Sequence, residues 1–237
     1  MSFGRDGDWC DMTVAAYSAM IRERVNFAQA AYRDGEWYCI TGYPGGNCNG
    51  EPYHPTLRAQ LIETLLNPTG QWCAYWWDIQ KKGRIARSRA EKWLAEFKPP
   101  VSWIPDRPIF RAMEQGRARP FFEALAYRDV VLVGPKHLEP LDAFPIREFV
   151  TVPDGSAWEE IDRICGEVDG NLKDDTVVLF ASGMAANVMI HRLWGEHRNR
   201  ATLYDIGSAL DPFVGLLSRG EYKTPGWHEN VFRQNFP

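Results

Sequence analysis

The segment TVVLFASGMAANVMIHRLWGEH, residues 176–197, decides how this chain folds. It begins with a continuous run of apolar residues, passes through small residues at 181–183, and continues with apolar residues at helical spacing. A short, continuously apolar run is typical of a strand that helices cover on both faces. The segment therefore predicts a strand followed by a helix, and ATLYDIG at 201–207 predicts the next strand.

The same alternation of strand and helix patterns extends toward the N-terminus. Further strands are predicted at 25–32, 72–79, 101–106, 129–135 and 146–153. Further helices are predicted at 12–24, 56–67, 88–97, 136–144 and 157–168, with another at 109–127 that is interrupted near Gly116 and Pro120. This order predicts an α/β fold with a Rossmann-like, mostly parallel sheet flanked by helices. We expect a single domain over residues 1–237, with a helical, basic, insertion-like region at about 80–120.

The composition narrows the class of protein without naming a function. Of the 237 residues, 45% are hydrophobic and 24% are charged, and the formal charge of −4 requires no polyanionic partner overall. The sequence contains no apolar run near the ~20 residues that cross a bilayer and no secretory leader pattern, so we expect a cytoplasmic protein. Five cysteines without C-x-x-C spacing indicate neither a disulfide framework nor a zinc knuckle.

Ligands of parallel sheets bind at the carboxyl ends of the strands, and polar or small residues follow several strands here. Ser182 and Gly183 open the helix after the strand at 176–180, where free backbone amides suit a phosphate group. The alternative is that Ser182 caps that helix and Gly183 makes the turn. Asp205 ends the last strand and suits ribose or sugar hydroxyls, although a turn aspartate has the same pattern. Gly134 and Gly207 lie at the ends of two predicted strands and are further candidate donor-binding residues.

Several enzyme classes lack their motifs in this sequence. Neither G-x-G-x-x-G nor G-x-x-x-x-G-K-[ST] occurs, which disfavours dinucleotide-binding and P-loop enzymes. No G-x-S-x-G elbow is present to anchor a Ser-His-Asp hydrolase. The five histidines are scattered and suggest no zinc pair, so we interpret most of them as structural.

Asp34, Gly35 and Glu36 place two carboxylates on either side of a glycine, directly after a predicted strand. In one interpretation Asp34 caps a helix and Glu36 interacts favourably with its dipole, which needs no metal. In the other, both carboxylates hold a hard cation such as Mn²⁺ or Mg²⁺, which keeps positions open for phosphate oxygens. The spacing alone favours the first interpretation.

A basic segment extends from residue 80 to residue 119, with eleven lysines and arginines against four acids. It could follow a nucleic-acid backbone or attract an anionic donor, with aromatic residues for stacking. A solvated helix face is the commoner explanation of such a segment. The candidate acceptor-binding residues of this segment are Trp93, Trp103, Arg107 and Arg111.

Two parts of the chain resemble one known family. FAQAAYRDGEW with the glycine-rich loop and helix that follow it, and TVVLFASGMAANVMIHRLW with ATLYDIGSALDPF, resemble the opening and closing segments of glycosyltransferases of the GT-D fold. By that resemblance Asp34 and Glu36 form the family's Asp-x-Glu motif, which serves the divalent metal and the diphosphate of the nucleotide sugar, together with Gly35. The sequence departs from the pattern at Ser182-Gly183, where Gly-Pro is expected.

The resemblance implies a metal-dependent glycosyltransferase that moves a sugar from a nucleotide-sugar donor, with a UDP-sugar favoured, to an acceptor hydroxyl. Two acceptors compete: a hydroxymethylated pyrimidine in DNA, as bacteriophage enzymes glycosylate in the host cytoplasm, and a cell-surface or lipid-linked saccharide. The basic segment modestly favours DNA. A non-catalytic nucleotide-sugar-binding module is the third alternative. The sequence assigns neither the general base nor the oligomeric state.

Overall fold

The computed structural model describes residues 13–47, 50–75, 84–105 and 107–236. Among these residues seven strands form one sheet, in the order β3-β2-β1-β7-β6-β4-β5, and every paired strand is parallel. The strands are β1 (Ala28–Tyr32), β2 (Trp72–Tyr75), β3 (Ser102–Pro105), β4 (Val130–Pro135), β5 (Glu148–Val152), β6 (Thr176–Phe180) and β7 (Ala201–Asp205). The predicted α/β architecture with a parallel sheet is confirmed.

Helices cover both faces of this sheet. They are α1 (Val14–Arg22), α2 (Asp34–Ile40), α3 (Pro55–Leu66), α4 (Arg84–Phe97), α5 (Pro108–Glu114), α6 (Arg119–Leu125), α7 (Ile161–Asn171), α8 (Ala185–Glu196) and α9 (Trp227–Asn230). None of the helices in the described ranges is long and apolar enough to cross a membrane. Cys39, Cys73 and Cys165 are free thiols.

The apolar strands separate two cores. In β6, Val178 and Phe180 pack into the core beneath α2, α3, α7 and α8, whereas Val177 and Leu179 pack into the core beneath α1, α5 and α6. Successive side chains of a strand point to opposite faces, so a run without polar residues is required where both faces are buried. This is why the pattern at 176–180 identified the fold class.

The segments that follow the two neighbouring strands β7 and β1 pack on opposite faces of the sheet. After β1 the chain enters α2, which packs with α3 and α4, and after β7 it enters a 3₁₀ segment, Gly207–Val214, which packs with α5. Neighbouring strands whose connections diverge in this way leave a crevice at their carboxyl ends. The sheet therefore opens a ligand crevice beside β1 and β7.

One segment differs from the sequence-based expectation. The predicted helix at 136–144 is only a 3₁₀ turn, Lys136–Leu138, because Pro140 has no N–H to donate to the Lys136 carbonyl. The described part of the basic region at 80–120 supplies the edge strand β3 and helix α4, which packs on α2. The strand predicted at 72–79 covers Trp72–Tyr75, and residues 76–79 lie outside the described ranges.

Other predictions on the chain's local structure are confirmed. The helix predicted at 109–127 breaks between α5 and α6, where Gly116 has a φ of +71°. A Cβ at this glycine would lie 2.6 Å from the Val231 carbonyl oxygen, so both the backbone conformation and the close contact require glycine.

Candidate functional site

A cavity of about 310 Å³ lies at the carboxyl edge of the sheet, within the crevice beside β1 and β7. Five strand ends contribute to it: those of β1, β4, β5, β6 and β7. The volume is at the lower end of the ~300–1,000 Å³ of small-molecule sites. Its charged lining residues are Arg33, Glu36, Asp154, Asp205, Asp211 and Arg219.

Glu36 is directed into this cavity from the first turn of α2. Its Oε2 accepts a hydrogen bond from the backbone N–H of Arg33 at 2.8 Å, which satisfies one of the free amides at the start of the helix. The side chain is 8% exposed, and burial raises the pKa of Glu36 to about 7, although the Arg33 guanidinium opposes that shift. Glu36 thus caps the helix and also lines the cavity, so both interpretations of the sequence describe part of its environment.

Asp34 lies on a different side of α2. Burial, followed by the Asp34 carboxylate, raises the pKa of Tyr38 and of Tyr53, so Asp34 is directed toward these two phenols. Among the described residues Asp34 is not part of the cavity wall. Positions i and i+2 of a helix do not face each other, which explains why the two carboxylates diverge.

Asp205 forms the floor of the cavity at the end of β7. It is 9% exposed, and burial raises its pKa, whereas the guanidinium groups of Arg33 and Arg107 and a backbone hydrogen bond from Gly207 lower it. Arg33 therefore lies close to both Glu36 and Asp205. Its Nη2 would be 2.5 Å from a Cβ placed on Gly207, which has a φ of +55°, so glycine is required for the arginine to enter the cavity.

The start of α8 is the third wall. Gly183 lines the cavity with a φ of +61°, and Ser182 faces an adjoining space of about 70 Å³. Glu51, from the loop after α2, occupies this helix start: its Oε2 accepts from Asn47 Nδ2 at 2.9 Å and from the Met184 N–H at 3.5 Å. Glu51 is 4% exposed, and burial raises its pKa to about 7. Within the described residues, Glu51 Oε1 and Ser182 Oγ have no hydrogen-bond partner.

The two remaining glycines predicted to bind the donor lie beside the cavity. Gly134 is in β4, where a Cβ would be 3.0 Å from Leu138, and the next residue, Pro135, reaches the cavity wall. Gly35 packs against Asn47, where a Cβ would be 3.3 Å from the asparagine Cβ. Both glycines allow close packing around the site.

The residues predicted to bind an acceptor are not gathered at one surface. Trp93 is 8% exposed and stacks on Phe97 at 4.7 Å, and Trp103 packs against the same core. Arg107 is buried with its guanidinium 3.7 Å from the Phe110 ring centroid, and Arg111 pairs with Glu114 at 3.1 Å. Trp93 lies on the apolar face of the amphipathic helix α4 and belongs to the core, whereas Trp103 lies in the edge strand β3 and packs, partly buried, against that core.

Sequence reasoning missed five residues of this site: Arg33, Glu51, His137, Asp211 and Arg219. His137 follows the end of β4, so the rule that pointed to Gly134 could also have found it. Glu51 and Asp211 lie within segments that resemble the glycosyltransferase family, but no motif singles them out, and only the folded chain brings them to the sheet edge.

The described residues do not assemble a complete cation shell. No group of three or more His, Cys, Asp or Glu side chains in those ranges is placed to hold a metal ion. Glu36 lines the cavity and Asp34 does not, although both carboxylates raise the pKa of Tyr53, and the Arg33 guanidinium lies close to Glu36. A site of two carboxylates, with its other positions filled by phosphate oxygens, needs fewer protein ligands than such a group, so metal dependence stays a prediction.

Comparison with known proteins identifies the fold. No family model matches the sequence, and no curated protein matches it. A solved structure described in the words "The highly conserved domain of unknown function 1792 has a distinct glycosyltransferase fold" matches with a TM-score of 0.60 and 15% sequence identity. The match covers 87% of this chain and 80% of that chain. This chain therefore has an α/β fold similar to that glycosyltransferase fold.

Proposed function

We propose that this protein is a glycosyltransferase that moves a sugar from a nucleotide-sugar donor to an acceptor hydroxyl. One arrangement supports the proposal: on a fold similar to a glycosyltransferase fold, the crevice at the carboxyl edge collects buried carboxylates, arginines and the start of α8. These are the groups that a nucleotide sugar requires, since it presents both sugar hydroxyls and an anionic diphosphate.

The positive groups of the cavity suit the leaving diphosphate. When the bond to the anomeric carbon breaks, negative charge grows on the diphosphate, and preorganised donors must stabilise it. Arg33 and Arg219 both line the cavity, and the amides at the start of α8 add their partial positive charge. Glu51, whose pKa is about 7, is partly protonated at neutral pH and then opposes an anion at that helix start less strongly.

The carboxylates suit the sugar and the ribose. Asp205 lies at the bottom of the cavity and is held in place by its contact with the Gly207 amide, so its free lone pairs can accept hydroxyl hydrogen bonds. The preference for a UDP-sugar comes from the sequence resemblance alone.

For the acceptor we propose a saccharide hydroxyl. In the described part of the basic segment, three arginines form ion pairs with glutamates, which leaves less positive charge to bind the phosphates of a nucleic acid. The pairs are Arg87–Glu91, Arg111–Glu114 and Arg119–Glu123. Trp93 lies in the core and Trp103 packs, partly buried, against it. A DNA acceptor predicts strongly salt-dependent retention of the protein on DNA, because binding releases counterions.

The test is release of nucleoside diphosphate from a panel of nucleotide sugars, each with Mn²⁺, with Mg²⁺ and with chelator. We expect release from at least one donor in wild type, and a loss of at least about 10-fold in Asp205→Asn. No release from any donor contradicts the proposal, and donor binding without release would favour a binding module. Release that persists in chelator would show that the predicted metal is not required.

A further inference from the structure

His137 and Asp211 form a pair on the wall of the cavity formed by the end of β4 and the segment after β7. His137 lies in the 3₁₀ turn directly after β4, and Asp211 lies in the 3₁₀ segment Gly207–Val214. Both residues line the same cavity as Glu36, Gly183 and Asp205. The pair is therefore available to a molecule that occupies the proposed donor crevice.

The geometry of the pair fixes the state of the imidazole. His137 Nε2 lies 3.3 Å from Asp211 Oδ1, and the other oxygen of Asp211 accepts a hydrogen bond from the Ser218 hydroxyl. Because an ionised carboxylate only accepts hydrogen bonds, Nε2 carries the hydrogen and the ring's lone pair is on Nδ1. Asp211 is 7% exposed and held from two sides, so it orients the ring and stabilises an imidazolium.

Exposure separates His137 from the two buried carboxylates Glu36 and Asp205. The His137 side chain is 39% exposed, whereas Glu36 and Asp205 are each less than a tenth exposed and already accept backbone hydrogen bonds. A general base must reach the proton that it removes. Among the titratable groups of this cavity, His137 combines an accessible ring with a buried carboxylate that orients it.

We propose that His137 is the catalytic base of the transfer and that Asp211 is its positioning residue. This inference rests on the proposed glycosyltransferase function and assigns the base for it. Nδ1 of His137 takes the proton of the acceptor hydroxyl while that oxygen forms a bond to the anomeric carbon. The bond from the anomeric carbon to the diphosphate oxygen breaks, and the nucleoside diphosphate leaves with the electron pair. One such displacement inverts the configuration of the anomeric carbon.

Other charged groups share the cavity with this base. They are Asp211 and Arg219 from the segment after β7, Asp154 from the loop after β5, Arg33 and Glu36 from the start of α2, and Asp205 from the end of β7. The fall of the rate at acidic pH reflects protonation of the base, but each of these charges also affects it. The test therefore compares the pH–rate profiles of the variants with that of wild type.

The chain offers a matched control. His197 and Asp169 form a second histidine–aspartate contact, at the end of α8 and outside the cavity. We expect His137→Gln to lower kcat by about 10²–10⁴-fold, and Asp211→Asn to lower it as well, while His197→Gln turns over like wild type. We also expect the KM for the donor to stay within about threefold of wild type in His137→Gln, because the base is needed only in the transition state.

Three further measurements distinguish a base from a structural histidine. Imidazole in solution should restore turnover to His137→Ala, the acidic limb of the pH–rate profile should vanish in His137→Gln, and NMR of the product should show an inverted anomeric centre. A thermal melt of each variant, with His137→Asn as the second replacement, shows that the comparison is made on folded protein.

The outcomes separate this inference from the function on which it rests. Wild type that releases no nucleoside diphosphate from any donor overturns both. Wild type that turns over, together with a folded His137→Gln of equal kcat or a product of retained configuration, overturns the inference and leaves the proposed function standing.

Discussion

Buried charged side chains have different environments at the two edges of the sheet. At the amino edge, the side chain of Arg128 is fully buried and donates to the Ile21 carbonyl at 3.0 Å, to Asn26 Oδ1 at 2.6 Å and to the Asp175 carbonyl. At the carboxyl edge, Glu36 and Glu51 are buried with pKa values raised to about 7. The first edge pairs its charge with protein groups, and the second leaves carboxylates in an environment that disfavours their ionised form.

This difference between the environments of the buried charges indicates which edge of the sheet binds a ligand. Buried polar groups that satisfy one another stabilise a fold, whereas groups left without partners cost free energy and persist where a ligand completes them. Within the described residues, Arg33 Nε, Glu51 Oε1 and Ser182 Oγ lie at the carboxyl edge without a hydrogen-bond partner, whereas the neutral Trp194 Nε1 lacks one near the amino edge. Changes at the amino edge should therefore affect stability, and changes at the carboxyl edge should affect turnover.

The largest effect should come from Arg128→Met at the amino edge. The change removes the three hydrogen bonds of the guanidinium, although Thr202 Oγ1 still donates to Asn26 Oδ1 and the Arg24 backbone N–H to the Ile21 carbonyl. We expect the free energy of unfolding to fall by about 3–5 kcal/mol. Turnover per folded molecule should not change. Denaturant unfolding measures the loss, and Arg24→Met is the control, because Arg24 forms an exposed pair with Asp175 at 2.9 Å that contributes at most about 1 kcal/mol. Equal losses from both variants would contradict the comparison.

The next effect should come from Glu36→Gln at the carboxyl edge. The amide loses the charge that faces Arg33 in the cavity, so we expect turnover to fall by about 10²-fold or more, equivalent to about 2.7 kcal/mol. Thermal stability should be equal to wild type or higher, because a carboxylate that burial disfavours is removed. Kinetics against Mn²⁺ concentration, with a melt of each protein, measure both quantities.

Asp34→Asn tests whether the loss of turnover is specific to Glu36. Since Asp34 is directed toward Tyr38 and Tyr53, we expect a much smaller loss of turnover than in Glu36→Gln. Similar losses in the two variants, both relieved by raised Mn²⁺, would instead favour the two-carboxylate metal site that the sequence resemblance implies.

The smallest effect should be the pH dependence caused by Glu51. Its pKa is higher in the folded state, about 7, than in the unfolded chain, so the folded state binds more protons between these values. The free energy of unfolding should therefore fall as pH rises from about 4.5 to 7, by about 2 kcal/mol for this group. Glu51→Gln should reduce this slope without abolishing it, because the pKa of Glu36 is also raised to about 7, and Glu159→Gln, at an exposed position, should leave it unchanged. An unchanged slope in Glu51→Gln would contradict the assignment.

The sequence predicted the sheet well because the burial of both faces of a strand leaves a clear pattern in the sequence. Strands buried on both faces need continuous apolar runs, and 130–133 and 177–180 carry them, so strand type and a parallel sheet followed. The segment 136–144 was predicted as a helix because its apolar residues recur at helical spacing. Leu138, Leu141 and Phe144 are indeed buried, but Pro140 prevents the continuous helix.

By itself the sequence determined the α/β class, the parallel sheet and the strand ends at which a ligand site belongs, because these depend on local periodicity and on the chain's alternation of strand and helix. Only the tertiary structure decided which side chains meet there. His137 and Asp211 are 74 residues apart in the chain, and Glu51 reaches Met184 across 133 residues. Such pairs depend on strand order and on the faces to which the loops turn, which no local pattern encodes. For the same reason the sequence did not show that Trp93 lies in the core and that Trp103 packs, partly buried, against it.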